Sequence, residues 1–367
     1  MTGGVFDRMI HRDHEQVVFC NDKATGLRAI IAIHDTTLGP ALGGCRMWTF
    51  ASEDEALEDV LRLSRGMTYK AAVAGLNLGG GKAVIIGDPK KDKSEALFRA
   101  FGRFVHSLGG RYITAEDVGT SVHDIEWVRA ETPYVTGIGR ALGGSGDPSP
   151  MTALGVYTGM KACTRWLEDT RELSGFKVAI QGLGHTGYWL ASYLHQDGVK
   201  MVVTDIDEDR VRHVAEEFDA QPVGPDEIYE TDAQIFAPCA LGGVVNDETI
   251  DRLKCRIIAG SANNVLKDED RHGPMLRKKN ILYAPDFVIN SGGLINVANE
   301  LEGYNQERVK RQIEKIYYIL KEIFEVSKRE DIPTGVAANR VAEARIQSML
   351  TLKNTWVGPL SPPNRRG

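Results

Sequence analysis

The chain has 367 residues, more than one hydrophobic core usually supports, so we expect two domains. Its residues are 42% hydrophobic and 26% charged, and the net charge of −6 without a basic run argues against nucleic-acid or anionic-membrane partners. No stretch approaches the roughly 18 continuous apolar residues of a membrane span, and the N-terminus has no apolar core of signal-peptide length, so a cytoplasmic protein is expected.

The cysteines and the N-terminal histidines give no metal site. Five cysteines, an odd number, are widely spaced without a C-x-x-C pair, which is typical of reduced thiols in a cytosol. His11 and His14 form an H-x-x-H pattern, but no third ligand stands nearby. We therefore expect both histidines to lie on a solvated helix.

The first predicted elements are a hairpin, a loop and a helix. Residues 16–21 and 26–34 are rich in Val, Phe and Ile and predict two paired strands. The segment TTLGPALGGCRMW predicts a glycine-punctuated loop before a short strand. Ser52 and Glu55 form a capping box, and the helix that follows carries Lys70 near its C-terminal end.

A second lysine, Lys82, directly follows three glycines at 79–81. A lysine after a glycine run is ordinarily a solvated residue in a turn. Here apolar residues flank the site on both sides, which predicts that Lys82 begins a buried strand. Desolvation and the nearby ammonium of Lys70 would both disfavour the charged form, as suits a general base, and the glycines would let a substrate approach closely.

The predicted strand 82–87 leads to a helix over 95–108, begun by Ser94, and to a strand over 112–114. Asp117 then lies at the carboxyl end of that strand, where open α/β sheets collect functional groups. An exposed loop acid is the alternative. Residues 141–150 are the most linker-like segment, and we place the domain boundary after residue 148.

The second predicted domain opens with a helix over 151–169 and then carries a dinucleotide-binding pattern. Strand 178–180 is followed by G-x-G-x-x-G, a helix and a second strand ending in Asp205, which follows Gly187 by 18 residues. The glycines allow pyrophosphate to approach the helix N-terminus, and Asp205 can accept hydrogen bonds from a ribose. This favours NAD over NADP, although Arg210 is close enough in sequence to leave the choice open.

The remaining segments continue the alternation of strands and helices. Short strands over 234–236, 256–258 and 281–283 predict a parallel, doubly wound sheet. Helices over 294–302 and 307–328 follow, then a last helix over 336–350 and a tail that we expect to be frayed.

The chain resembles the glutamate/leucine/phenylalanine/valine dehydrogenase family over nearly its whole length. The active-site signature of the family is similar to L-x-x-G-G-G-K-x-V-x-x-x-D-P at 76–89, and further matches are TLGPALGG, GMTYK, AEDVGT, APCALGG, GSANN and APDFVINSGGLINVANE. The resemblance implies an α/β protein with an N-terminal substrate domain (1–148), a Rossmann-type NAD-binding domain (149–335), residues 336–367 packed back on the first domain, and an active-site cleft between the two. It also implies a homo-oligomer, commonly an octamer.

By the same resemblance, the enzyme interconverts an L-amino acid with its 2-oxo acid and ammonia. Lys70 would bind the substrate carboxylate, Lys82 would activate the water that attacks the imine, and Asp117 would pass protons to and from the amino group. The implied cofactor-binding residues are Gly182, Leu183, Gly184, His185, Thr186, Gly187, Asp205, Cys239, Ala240 and Asn263. The implied substrate-binding residues are Leu42, Gly43, Gly44, Met67, Lys70, Ala115, Asn290, Leu294 and Val297.

The choice of substrate side chain depends on a few of these positions. Glutamate-specific members have a lysine in the loop around Leu42 and a serine near Val297, whereas both are apolar here, so burying a second carboxylate would be unfavourable. Ala115 matches the leucine-specific members, while Leu294 resembles the phenylalanine-specific ones and Ser291 departs from the usual alanine. We expect branched-chain substrates (leucine, valine and isoleucine), with phenylalanine as the alternative.

Two functions of other classes stay open. Cys239 could be the catalytic thiol of an aldehyde-oxidising enzyme, but no base is evident beside it. A non-catalytic NAD-binding regulator is the other alternative, which would have no need of Lys70, Lys82 and Asp117 together.

Overall fold

The computed structural model describes residues 4–350 and contains two β-sheets, each covered by helices. The two-domain α/β prediction is confirmed. Within the described residues, no helix is both long enough and apolar enough to cross a membrane.

The first sheet has five strands in the order β1-β2-β4-β3-β5. β1–β2 and β2–β4 are antiparallel, whereas β3 is parallel to both β4 and β5. The elements of this part are α1 (Val5–His11), β1 (Gln16–Asp22), β2 (Leu27–Asp35), β3 (Ala41–Trp48), α2 (Glu53–Val73), β4 (Gly79–Ile86), α3 (Glu95–Ser107), β5 (Tyr112–Glu116) and α4 (Val122–Arg129).

The predicted hairpin is confirmed. Of the capping box predicted for α2, the Ser52 half is present, with Ser52 Oγ accepting from the Glu55 amide at 3.1 Å, whereas the Glu55 side chain accepts from the Ala51 amide instead of the Ser52 amide. The predicted loop through Gly43 and Gly44 is wrong, because both glycines lie inside β3. A Cβ on Gly43 would stand 1.7 Å from the Gly81 carbonyl oxygen, so the glycines let β3 pass very close to its neighbours. The prediction followed the general preference of glycine for loops and turns.

The glycines before Lys82 are also within a strand, β4, and Lys82 is its fourth residue rather than its first. A Cβ on Gly80 would lie 2.1 Å from the Thr68 amide nitrogen in α2, and one on Gly81 would lie 2.6 Å from the Tyr112 ring. The glycines thus let α2 and the ring of Tyr112 pack directly against β4. This corrects the expectation that they serve the approach of a substrate.

The second sheet has six parallel strands in the order β11-β10-β9-β6-β7-β8, which confirms the doubly wound prediction. Its strands are β6 (Lys177–Gln181), β7 (Lys200–Thr204), β8 (Gln221–Pro222), β9 (Ile235–Pro238), β10 (Ile257–Ile258) and β11 (Leu282–Tyr283). The α-helices that follow α4 in the described chain are α5 (Ser149–Glu168), α6 (His185–Gln196), α7 (Glu208–Phe218), α8 (Glu269–Lys278), α9 (Asp286–Ile289), α10 (Gly292–Ala298), α11 (Gln306–Ile313), α12 (Lys315–Glu330) and α13 (Thr334–Leu350).

Two helix predictions differ in detail from the structure. The helix expected over 294–302 is α10 followed by a 3-10 turn, Asn299–Glu302. The helix expected over 307–328 is divided into α11 and α12 at Glu314, whose backbone (φ −56°, ψ −26°) is itself helical. The division is therefore a local change in hydrogen bonding, which residue preferences do not encode.

The last helix, α13, returns to the first part of the chain and packs on α2. Arg345 donates to the carbonyl oxygen of Ala72 at 2.7 Å, and the Tyr69 hydroxyl donates to Glu343 at 2.8 Å. This agrees with the expectation for residues 336–350. Residues 351–367, with the tail expected to be frayed, lie outside the described residues, and the boundary after residue 148 stays a prediction.

Candidate active site

Three adjacent strands of the first sheet bring two cations and a carboxylate together. Lys82 projects from β4, Asp117 follows β5, and Arg46 lies near the end of β3, the strand between them. Lys82 Nζ is 2.8 Å from Asp117 Oδ1, and Arg46 Nε donates to Asp117 Oδ2 at 3.0 Å. Each oxygen of the carboxylate therefore contacts a different cation.

The turn after β5 fixes the position of Asp117. The Asp117 amide donates to Thr120 Oγ1 at 2.9 Å, and that hydroxyl donates to the Cys45 carbonyl oxygen at 2.9 Å. Gly119 has φ +81°, and a Cβ there would lie 1.9 Å from the Met47 carbonyl oxygen. The turn is thus packed tightly on β3, which places Asp117 beside the strand that carries Arg46.

The charges around Asp117 keep it ionised. Burial raises the pKa of its carboxyl group, but the charges and hydrogen bonds of Lys82 and Arg46 outweigh burial, and the pKa lies below its usual value. The adjacent Glu116 behaves in the opposite way, because burial and then the charges of Asp147 and Asp117 raise its pKa. The interpretation of Asp117 as an exposed loop acid is therefore wrong, since only 23% of its side chain is exposed.

Lys70, near the end of α2, contacts the segment between two helices of the second domain. Its Nζ donates to Asn290 Oδ1 at 2.6 Å, between α9 and α10. Burial lowers the pKa of Lys70 to about 8, Asp286 acts to raise it, and the charge of Lys82 lowers it further. Burial and a second ammonium thus act on Lys70, and Lys82 has the carboxylate of Asp117 as its counterion at 2.8 Å.

Asn290 connects the lysine to residues that the sequence assigns to cofactor binding. Its Nδ2 donates to the Ser261 carbonyl oxygen at 3.0 Å and to Asn263 Oδ1 at 2.8 Å. Asn290 is buried, whereas Asn263 is exposed. A continuous set of hydrogen bonds therefore runs from Lys70 through Asn290 to Asn263.

The glycine pattern of the second sheet has the geometry of a dinucleotide-binding turn. Gly182 has φ +99°, and a Cβ on Gly187 would lie 2.0 Å from the Gly182 carbonyl oxygen. A Cβ on Gly184 would meet only Arg210, at 4.0 Å, so open space faces this glycine where α6 begins. Tight turn, close packing and open approach to a helix N-terminus are the three features that a bound pyrophosphate requires.

Asp205 directly follows β7, as predicted, and its carboxylate is fixed by the backbone. It accepts from the Leu183 amide at 2.6 Å and from the Asp207 amide at 2.9 Å. Arg210 instead pairs with Asp207 at 3.2 Å. Among the other predicted cofactor residues, Leu183 is buried, Thr186 is half-buried, and His185 and Ala240 are exposed near this turn.

Cys239 does not have the environment of a reactive thiol. Burial raises its pKa, although hydrogen bonds with Ser261 act in the opposite direction. A catalytic cysteine requires a lowered pKa, so this environment argues against the aldehyde-oxidising alternative. All five cysteines are free thiols, as expected.

The residues predicted to line the side-chain pocket divide between the apolar core and the first sheet. Leu42, Met67, Leu294 and Val297 all belong to, or pack against, one large apolar cluster that includes residues of both parts of the chain. Ala115 is outside that cluster and pairs with Gly44 across β5 and β3. Ser291 is buried and donates to the Val288 carbonyl oxygen at 2.6 Å, so it has a structural contact.

The expectation for the N-terminal histidines is half wrong. His11 is exposed at the end of α1, but His14 is buried, and its Nε2 is 2.8 Å from Ser64 Oγ. Its ring packs edge-on against His34, with ring centroids 4.8 Å apart. No group of three potential metal ligands occurs within residues 4–350.

Sequence reasoning missed Arg46 and Glu300. The available signal for Arg46 was its place near the carboxyl end of a strand, the same sheet edge that carries Asp117. Glu300 accepts from the amides of Gly137 and Ser145 at 3.0 and 2.8 Å and joins the segment between the two sheets to the turn after α10. Such a long-range contact leaves no local sequence pattern.

Comparison with known proteins agrees with this geometry. Residues 14–134 match the model for the Glu/Leu/Phe/Val dehydrogenase dimerisation domain, and residues 202–352 match the Glutamate/Leucine/Phenylalanine/Valine dehydrogenase model. The chain belongs to this family of amino acid dehydrogenases. The conserved chemistry of the family is therefore the starting point for the proposals below.

Individual relatives in the family extend over almost the whole chain. The chain is 58% identical to a leucine dehydrogenase of Thermoactinomyces intermedius, with 96% of each chain covered. It is 51% identical to a phenylalanine dehydrogenase of Bacillus thermotolerans, covering 98% of this chain and 94% of that protein. A solved L-tryptophan dehydrogenase of Nostoc punctiforme superposes with a TM-score of 0.85 at 48% identity, covering 94% and 99% of the two chains.

Proposed function

We propose that this protein catalyses the NAD-dependent, reversible oxidative deamination of L-leucine, and of valine and isoleucine, to the 2-oxo acid and ammonia. The observation that carries the proposal is the contact of Lys82 with Asp117 at 2.8 Å, in a site where Lys70 donates to Asn290 at 2.6 Å. This arrangement supports the oxidative deamination, and the apolar residues together with the leucine dehydrogenase relatives support leucine as the substrate.

The acid–base pair would perform the proton transfers. The substrate amine must be neutral before its α-carbon can give up a hydride, and Asp117 is the carboxylate placed to accept the ammonium proton. Water must then add to the imine carbon, and a Lys82 that has released its own ammonium proton to solvent would accept the proton that the water loses. Because the two groups are in contact, that proton can pass from Lys82 to Asp117 once Asp117 has returned the first proton to the departing amine.

Lys70 would hold the substrate carboxylate. A lysine ammonium has three donors, and Asn290 takes one of them, so two are left for a carboxylate. An anion bound at a partly desolvated cation is stabilised more than it would be in water. The carboxylate would in turn favour the charged form of Lys70.

The turn at Gly182, Gly184 and Gly187 and the carboxylate of Asp205 fit a dinucleotide. The glycines leave room at the N-terminus of α6 for the pyrophosphate, and Asp205 would accept hydrogen bonds from the adenosine ribose. When bound, NAD supplies the acceptor for the hydride. A 2′-phosphate would meet the negative charge of Asp205, which supports NAD rather than NADP.

The side chain of the substrate would lie against Leu42, Met67, Leu294 and Val297, whose side chains are part of one large apolar cluster. A second carboxylate in this cluster would lose its hydration without a partner, so glutamate is disfavoured. Phenylalanine is the second candidate, supported by Leu294 and by the phenylalanine dehydrogenase relatives.

We also infer a homo-oligomer. β1 is an edge strand of the first sheet, and Phe19 on it is 57% exposed; Phe6 and Ile10 of α1 are exposed as well. Apolar residues beside an unpaired strand edge favour association with another chain. The family model over residues 14–134 names a dimerisation domain, and an octamer is what the family resemblance suggests.

An absorbance assay of NADH formation tests this proposal. Purified protein with L-leucine and NAD should produce NADH, ammonia and 4-methyl-2-oxopentanoate in equal amounts, and NADP should be a much poorer acceptor. Formation of NADH from an aldehyde would indicate the thiol chemistry instead. Binding of NAD without turnover of any amino acid would indicate a regulator.

A further inference from the structure

We propose that Arg46 is a positioning residue for the reaction, which holds Asp117 in one orientation and in its charged form while Lys82 exchanges protons. The inference rests on the function proposed above. It concerns a residue that contacts the acid rather than the substrate.

The first support is the division of the Asp117 carboxylate between two cations. Oδ1 faces Lys82 Nζ at 2.8 Å, and Oδ2 accepts from Arg46 Nε at 3.0 Å. A carboxylate with one oxygen fixed cannot rotate freely about its last bond. Arg46 therefore keeps Oδ1, the oxygen that would exchange the proton, directed toward Lys82.

The second support is that Arg46 is itself held in place. Its Nη1 donates to Asp59 Oδ2 in α2 at 2.8 Å, and Asp59 Oδ1 accepts from Arg62 at 2.9 Å. Arg46 is 22% exposed and Asp59 is 15% exposed, so the pair is largely shielded from water. The guanidinium is thereby clamped between a structural carboxylate and the reactive one.

The third support is the chemistry of guanidinium. A guanidinium group stays protonated in proteins, so Arg46 cannot compete with Lys82 as a base. When Lys82 gives up its proton, its positive charge beside Asp117 disappears. Arg46 then remains as the cation in contact with the carboxylate and prevents an uncompensated buried charge, which would be costly.

The other titratable groups around Asp117 do not replace this function. On β4 and β5, Lys82 supports the charged form, whereas Glu116 carries like charge. Lys70 on α2 is further from Asp117 and is engaged by Asn290. The thiol of Cys45 on β3 and the hydroxyl of Tyr112 on β5 also face Asp117, and burial raises the pKa of both, so they stay neutral.

The test compares Arg46→Met, Arg46→Lys and the matched control Arg62→Met across the pH range. The substrate is whichever amino acid of a panel the wild-type enzyme oxidises fastest, so that the test does not depend on leucine. Arg62→Met removes the same functional group one ion pair further from Asp117, at a residue that is 49% exposed. Melting temperatures are measured for all variants.

For Arg46→Met we expect kcat to fall by about tenfold or more, with a smaller change in the KM of the amino acid, because Lys70 is untouched. The midpoint of the acid side of the kcat/KM profile should rise by about one pH unit or more, since a cation in contact with a carboxylate has an effect of that size. Arg46→Lys should restore the wild-type midpoint and part of kcat. Arg62→Met, which leaves the contact of Arg46 with Asp117 in place, should keep the wild-type acid midpoint.

A merely structural contribution of Arg46 would lower kcat evenly at all pH values and lower the melting temperature, without moving the acid midpoint. That result would overturn the inference while leaving the dehydrogenase function in place. A wild type that oxidises no amino acid would instead overturn the proposed function, and this inference with it.

Discussion

Lys70 Nζ and Asn290 Oδ1, 2.6 Å apart, form a hydrogen bond between α2 of the first domain and the end of α9 in the second. The proposed carboxylate-binding lysine is therefore held by the domain that would bind the cofactor. Asn290 also donates to Asn263 at 2.8 Å, so the proposed carboxylate-binding lysine and a proposed cofactor-binding residue share one hydrogen-bonded set.

The first prediction concerns the pH dependence of carboxylate binding. The pKa of Lys70 is about 8, so its ammonium is charged below that pH and loses its charge above it. The affinity of the unreactive analogue 4-methylpentanoate, measured by calorimetry, should be constant near pH 7 and decline above pH 8. Lys70→Met should bind the analogue weakly and without this pH dependence. Equal affinity at pH 7 and pH 9.5 in the wild type would contradict the assignment.

The second prediction concerns Lys82 as the base for water addition. Lys82→Ala should reduce kcat by about 10²–10⁴-fold, the usual contribution of a general base, and leave NAD affinity nearly unchanged. Lys91→Ala is the control, because Lys91 is 79% exposed and pairs with Asp88 well away from Asp117. Near-normal turnover in Lys82→Ala would remove Lys82 from the mechanism.

The third prediction concerns cofactor choice. Asp205→Ala should raise the KM for NAD and narrow the preference over NADP, because the ribose acceptor and the repulsion of a 2′-phosphate vanish together. Part of the loss will come from the freed Leu183 and Asp207 amides. Asp205→Asn keeps a hydrogen-bond acceptor, so its KM for NAD should lie between those of the wild type and Asp205→Ala. Unchanged KM values for both cofactors would mean that another residue recognises the ribose.

The fourth prediction concerns stability in acid. Burial, followed by the charge of His34, lowers the pKa of His14 from 6.5 to about 4. The unfolded chain therefore binds a proton at a higher pH than the folded chain does, so this stability is fully present above pH 6.5 and is lost as the pH falls toward 4.

The fall in pH from 6.5 to 4 should lower the unfolding free energy through His14 by on the order of 3 kcal/mol. His14→Gln should flatten the fall in unfolding free energy between pH 6.5 and 4.5, measured by urea titration at each pH. The exposed residue of the same H-x-x-H pattern provides the control, and His11→Gln should retain the wild-type slope. Identical slopes in all three proteins would show that His14 does not sense acid.

The fifth prediction concerns the size of the substrate pocket. Leu294→Val enlarges the apolar cluster by one carbon, and Ala115→Gly removes a methyl from the neighbouring strand. A change of one carbon at a packed site is worth roughly 1–3 kcal/mol of discrimination. Ala115→Gly should raise kcat/KM for phenylalanine relative to leucine by about tenfold. An unchanged ratio in Ala115→Gly, with a changed one in Leu294→Val, would assign the selectivity to the cluster alone.

Sequence predicted the elements of this fold that have local signals. The turn at Gly182–Gly187 and the position of Asp205 followed from glycine spacing and strand periodicity, which depend on neighbours along the chain. β3 was predicted to begin after Gly43 and Gly44 rather than before them, because close packing between strands requires glycine for a reason that only the assembled sheet reveals. Local preference and tertiary packing gave opposite answers there.

The candidate site shows the same difference between features with a local sequence signal and features that depend on the assembled fold. Lys70, Lys82 and Asp117 were identified from motifs, yet the ion pair between the last two depends on strand order, which their spacing in the sequence does not reveal. Arg46 was missed for that reason, although it stands only two residues after Gly44. His14 was misassigned because burial by α2, at Leu61 and Ser64, comes from a helix nearly fifty residues later in the chain.

The most direct test of the account is one substrate panel with the wild-type enzyme and NAD. Initial rates for L-leucine, L-valine, L-isoleucine, L-phenylalanine and L-glutamate give five values of kcat/KM under identical conditions. We expect leucine to be preferred, valine and isoleucine to follow, phenylalanine to be lower and glutamate to be negligible. A wild-type enzyme that prefers phenylalanine would contradict the branched-chain assignment, and activity on none of the five would contradict the dehydrogenase function itself.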